Sequence, residues 1–277
     1  MRRVPVSEGG PRRRRWLAGT GVGLFLMAAA LCALVVFPYP LFPHPTSLGS
    51  IDLRSDVPPG PDIAEALRAA HRRVLAMPLH LPNERYEIFL AHSERLYPSF
   101  TFLARKPSST QGLILSSATG TVVLSLPGIR RMRQRSGGEP VRSRFEGTLD
   151  AAIAHEVGHL QARRRLGFRG YLALPAWKSE GWADYAAHRG HLRSDPRGGL
   201  TARVALLLDE DAWPVPLSRV DRRHYEWHVL VEYLVEVEGM SFDTLMDDGV
   251  AEKPCRARLR AWYAGKGAPS GAAPTSR

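Results

Sequence analysis

The chain has 277 residues, 44% of them apolar, enough to bury a real core, which excludes a disordered or collagen-like polypeptide. Its net charge of +11 is uneven: residues 1–15 hold six Arg against one acid, so the rest is only mildly basic, and no nucleic-acid motif accompanies it. Its two cysteines, Cys32 in an apolar stretch and Cys255 far downstream, form no C-x-x-C pair, so neither a cysteine metal site nor an intrachain disulfide is expected.

In chain order, residues 1–15 are a basic N-terminus and residues 16–37 carry no charge. As a helix the second stretch reaches about 33 Å, the thickness of a hydrocarbon core. Arg12 to Arg15 stand directly before it, so the positive-inside rule keeps the N-terminus cytoplasmic and sends the rest across. The stretch is longer than the core of a cleaved signal peptide, and no Gly or Ala precedes Cys32 as a lipoprotein site would want. A single-pass cell-membrane anchor with an extracytoplasmic body is therefore expected. Residues 38–61 hold seven prolines and read as a stiff linker.

The body is expected over 62–263. Ile63, Leu67, Ala70, Val74 and Met77 make one apolar helix stripe ended by Pro78. Strands are expected at Tyr86 to Leu90, Leu113 to Leu115 and Thr121 to Leu124, with Thr119-Gly120 as a turn between the last two. Residues 130–144, with six arginines around Gly137-Gly138-Glu139-Pro140, read as a solvated loop; contact with an envelope polyanion is the alternative. A helix is expected from Phe145 to Leu166, closed by Gly167, with Leu149, Ile153, Val157 and Leu160 as its packing face. A second should begin after Pro175 and a third near Tyr225, running to Glu238; residues 264–277 read as a disordered tail.

The first of these helices carries His155-Glu156-Val157-Gly158-His159. Residues four apart share a helix face, so His155 and His159 can point at one spot and supply half of a tetrahedral zinc site. Glu156 stands where a carboxylate can take a proton from an activated water. A catalytic zinc needs one more protein ligand, and Glu180 follows His159 by 21 residues within Leu174-Pro175-Ala176-Trp177-Lys178-Ser179-Glu180-Gly181-Trp182-Ala183-Asp184-Tyr185.

With these two motifs the chain resembles the gluzincin zinc metallopeptidases, the clan of thermolysin and aminopeptidase N. It is most similar to bacterial peptidase-MA-like domains with L-P-x-W-x-x-E-G-x-A after H-E-x-x-H. The resemblance implies His155, His159 and Glu180 as zinc ligands and Glu156 as general base. It implies Asp184 as the acid that orients a ligand histidine. It also implies Tyr225 as the oxyanion donor, with His224 and His228 as competitors. Thr121 to Leu126 takes the place of the edge strand that pairs with substrate backbone. Ser179 replaces the usual Asn and no G-x-M-E-N segment is present, which argues against a typical aminopeptidase.

The expectation is thus an α+β, thermolysin-like zinc metallopeptidase domain, a small mixed sheet plus active-site helices, behind one N-terminal transmembrane helix. It would hydrolyse a peptide or protein substrate. A non-catalytic envelope protein that keeps the fold for binding is the alternative, but it would need a broken ligand or base, and none is visible. An intramembrane protease is not expected, because Glu146, Asp150 and Arg163 to Arg165 crowd the H-E-x-x-H helix and nothing around it is long enough to span.

Overall fold

Alternating apolar residues build one sheet, and longer apolar stripes lay helices against it. The computed structural model describes residues 26, 33–34, 37–103, 112–114, 120–135, 148–192, 199–209 and 219–266. The N-terminus 1–15, most of the expected span 16–37, the arginines beyond residue 135, Phe145 and the tail from residue 267 lie outside them. Among the described residues no helix is long and apolar enough to cross a membrane.

The strands are β1 (His44–Leu48), β2 (Ile51–Ser55), β3 (Tyr86–Ala91), β4 (Gly112–Ile114) and β5 (Val122–Ser125), arranged in the order β1-β2-β3-β5-β4. The inner strands β2, β3 and β5 run parallel, and the edges β1 and β4 are antiparallel to their neighbours. Helix α1 (Pro61–Leu75) links β2 to β3. Pro61 sits at its first position, Asp62 in its first turn and Arg72 and Arg73 in its last, each suited to the helix dipole. Its stripe of Ile63, Leu67, Ala70 and Val74 is buried as the spacing predicts.

The remaining helices are α2 (Leu96–Leu103), α3 (Leu126–Arg135), α4 (Leu149–Ala173), α5 (Ala176–Leu192), α6 (Leu200–Leu208), α7 (Arg219–Glu236), α8 (Phe242–Met246) and α9 (Glu252–Gly265). The pleat divides the apolar residues between two faces. Ile88, Leu90, Val122 and Leu124 share a core with Ile153, Val157 and Leu160 of α4. Phe89, Ala91 and Val123 face the other way, onto Phe42 and onto Tyr97 and Phe100 of α2. Helices α4, α5 and α7 approach closely at two glycines. A Cβ on Gly158 would lie 3.0 Å from Ala183 Cα, and one on Gly181 would lie 2.7 Å from the Trp227 carbonyl oxygen.

Four sequence expectations change. Residues 38–61 are not a linker: after a 3-10 turn at Tyr39–Leu41 they form β1 and β2, because Phe42, Ile51 and Leu53 have a sheet core to enter. Residues 130–135 are helical rather than loop, since Leu126 and Ile129 bury one side of α3 while Arg130 and Arg131 meet Asp62 and Glu94. The expected edge strand at Thr121 to Leu126 is interior, between β3 and β4, and β4 is the edge. The third helix begins at Arg219, six residues before Tyr225.

Candidate metal centre

Helix α4 presents His155, Glu156 and His159 at the crossing with α5, which contributes Glu180 and Asp184. The Gly158 contact, just before His159, sets how near these two helices come, and the Gly181 contact, just after Glu180, does the same for α5 and α7. The imidazole rings of His155 and His159 stand perpendicular, at 89°, with their Nε2 atoms 3.0 Å apart. Glu180 Oε2 lies 3.4 Å from the first Nε2 and 3.5 Å from the second.

The atoms behind this triangle fix its chemistry. Asp184 Oδ1 is 2.7 Å from His155 Nδ1. An ionised carboxylate only accepts, so Nδ1 carries the proton and His155 Nε2 turns its lone pair toward Glu180. Two electron-rich atoms facing each other at that distance repel unless a proton or a cation stands between them. The Tyr171 hydroxyl lies 2.9 Å from His159 Nδ1, where its oxygen can accept an Nδ1 proton and leave Nε2 of the second ring free.

The charge balance answers to that geometry. Burial works to lower the His155 pKa, but the Asp184 and Glu180 carboxylates outweigh it and raise it well above the ordinary value. Burial works to raise Glu180, yet the two imidazoles hold it well below the carboxylate range. Glu156 differs: its own burial raises its pKa, against the pull of His159 and His155. Its carboxylate is set beside the triangle rather than in it. Gly112 of the edge strand β4 leaves room for it, because a Cβ there would lie 2.1 Å from Glu156 Oε1.

The triangle fits a tetrahedral metal ion. His155, His159 and Glu180 form a potential cation site among the described residues, and their donor atoms are 3.0 to 3.5 Å apart. Ligands at zinc-like bond lengths are spaced by about 3.3 Å. Two imidazoles and one carboxylate are also the donor set of catalytic rather than closed structural zinc sites.

Of the candidates for the oxyanion role, Tyr225 is buried and gives its hydroxyl to the Arg203 carbonyl at 3.2 Å, on the side of α6. His228 is fully buried, 3.8 Å from Glu232. His224 alone faces the centre, with Nδ1 4.0 Å from both Glu180 Oε2 and Asp184 Oδ2. The early start of α7 explains the change, since it brings Tyr225 inside a helix whose buried side is already set by Val229, Leu230 and Val231.

Tyr171 was not among the expected site residues. Gly167 adopts φ 73° and ψ 168°, a conformation a side chain disfavours, and breaks α4 there; the chain then turns and brings Tyr171 back to His159. Gly167 itself, two residues after the Arg run and expected as the helix end, was the available signal.

Behind the centre lies a buried polar layer. His188 donates from Nδ1 to the Asp184 carbonyl at 2.8 Å and packs on the His228 ring, and Arg203 and Glu232 form a buried ion pair. No protein-family model matches the chain, and no curated protein matches it.

Proposed function

We propose that this protein is a zinc-dependent peptidase of the gluzincin kind, tied to the membrane by residues 16–37. The observation that carries the reading is the convergence of His155, His159 and Glu180 on one point, with Asp184 behind the first ligand and Glu156 beside the set. Zinc held there supplies Lewis acidity toward a carbonyl and an acidified water.

The chain supplies the rest. Asp184 fixes the His155 tautomer, and Tyr171 does the same for His159. Glu156, with its pKa raised by burial, takes the water proton on its carboxylate and passes it to the leaving amine. His224, at the rim, donates a ring N–H to the charge that develops on the carbonyl oxygen. The outer edge of β4, beside Glu156, offers backbone groups to an extended peptide as an added strand.

Metal analysis and a peptide-library digest of the purified chain test the reading together. About one zinc per chain is expected, lost with His159→Ala or Glu180→Ala. Glu156→Gln is expected to keep the metal and lose cleavage, because it removes the base and no ligand. Full zinc in both ligand variants, or full cleavage by Glu156→Gln, would refute it.

A further inference from the structure

The two sheet faces are covered unequally. One is covered by α1 and α4 and by the helices that hold the candidate centre. The other is covered in the described residues only by the 3-10 turn at Tyr39–Leu41 and by α2, through Phe42, Tyr97 and Phe100. This thin cover is apolar on its outside as well. Phe102 of α2 is 82% exposed, the highest value of any large apolar residue described, and Phe37 and Tyr39 are 57% and 40% exposed.

The 3-10 turn and α2 form one cover. Tyr39 and Phe42 both pack on Phe89, with ring centroids 5.4 and 5.2 Å away, and Phe42 packs on Phe100 of α2 at 6.0 Å. The uncharged stretch 16–37 ends at this cover. Phe37 donates its backbone N–H to the Ala33 carbonyl at 2.7 Å, a helical contact, and the 3-10 turn starts two residues later.

We infer that this face, the 3-10 turn and α2 with Phe37, Tyr39 and Phe102, rests in the headgroup region of a phospholipid bilayer. The inference rests on the anchored reading of residues 16–37 and adds an orientation to it. An apolar segment that leaves the bilayer directly beneath a surface brings that surface to the bilayer at no further cost in freedom. The side chains have the right chemistry. Tyr39 buries its ring against Phe89 while its hydroxyl gives a 2.6 Å hydrogen bond to Glu87, so one end is apolar and the other wet. Phe102 has no polar group to lose by insertion. The candidate centre, on the opposite face of the sheet, then points away from the lipid.

A spin label tests this on the full chain in phosphatidylethanolamine–phosphatidylglycerol vesicles. Cys32→Ser removes the competing thiol, and Cys255 is buried. The label is placed by Phe102→Cys or, as a control on exposed α9, by Lys253→Cys. At position 102 collisions with dissolved oxygen are expected to exceed those with a water-soluble nickel chelate several-fold relative to position 253. Chain that floats with the vesicles while position 102 stays as open to the chelate as position 253 overturns the docked face and leaves the anchor standing. Shielding of position 102 from both reagents, with spin–spin broadening, assigns the face to a second copy and overturns the lipid reading. Chain that does not float overturns anchor and face together.

Discussion

At the scale of single residues the candidate centre divides into groups that would meet an ion and groups that hold those in place, and substitutions should separate them. Tyr171→Phe removes one hydroxyl from behind His159 and little volume, so zinc affinity in a chelator competition is expected to fall roughly ten- to a hundredfold with the fold intact. His224→Ala is expected to lower turnover by roughly a hundredfold at unchanged zinc content. Tyr225→Phe should leave turnover near that of the parent and cost about 1 kcal/mol of stability, since its hydroxyl serves the Arg203 carbonyl. A dead Tyr225→Phe with an active His224→Ala would reverse the assignment. His188 gives a pH signature of its own. Burial, with the Arg73 charge nearby, pushes its pKa down to about 4 from the ordinary 6.5. The neutral ring is therefore favoured by the fold, so this contribution is complete above pH 6.5 and is lost as pH falls toward 4. With chelator present throughout, the thermal midpoint should drop across that window, and His188→Gln should flatten the drop; equal slopes would refute this. His155 and His159 were legible in the sequence because residues four apart share a helix face, which needs no knowledge of the rest of the chain, whereas Glu180 was legible only through the motif that follows 21 residues on. Tyr171 and His224 were harder to read because their positions depend on where one helix breaks and another begins.

At the scale of elements, the site is a set of helix crossings with glycine at the tightest points. Gly181→Ala should cost about 1–3 kcal/mol or more, because the new Cβ meets the backbone oxygen of Trp227, which cannot rotate away. Gly170→Ala is the contrast: its Cβ would meet only Leu166 Cβ at 3.4 Å, so helix propensity should leave it neutral or slightly stabilising. Chemical denaturation of the two variants checks this, and equal midpoints would count against the crossing as the constraint. Periodicity made α1 and the packing face of α4 legible, since each runs over several turns. The β1–β2 hairpin was obscured by its composition. Seven prolines in residues 38–61 suggested a linker, yet those within β1 and around the hairpin are compatible with a sheet margin: Pro45 lies in an edge strand, where a missing N–H breaks no ladder. The alternation of Ile51, Leu53 and Ser55 toward the core spans only five residues, too few to stand out beside that signal.

At the scale of the whole molecule, the proposed anchor makes a prediction about topology, since Arg12 to Arg15 stand before the uncharged stretch and the sheet follows it. A tag at the C-terminus should be cut by protease added to cells with a permeabilised outer layer, while one at the N-terminus is spared. The opposite pattern would refute the orientation, and a mature chain starting near residue 34 would replace the anchor by a cleaved signal. The hairpin has a mechanical consequence for such an anchored molecule. Where a leash of residues 38–61 would let the body wander, only residues 38–43 separate the uncharged stretch from β1, and the 3-10 turn among them is packed against Phe89. There is almost no slack to pay out. Anchored in this way, the candidate centre would be carried at one altitude above the lipid, and of all the peptide bonds passing by, it would sample those that come to that height.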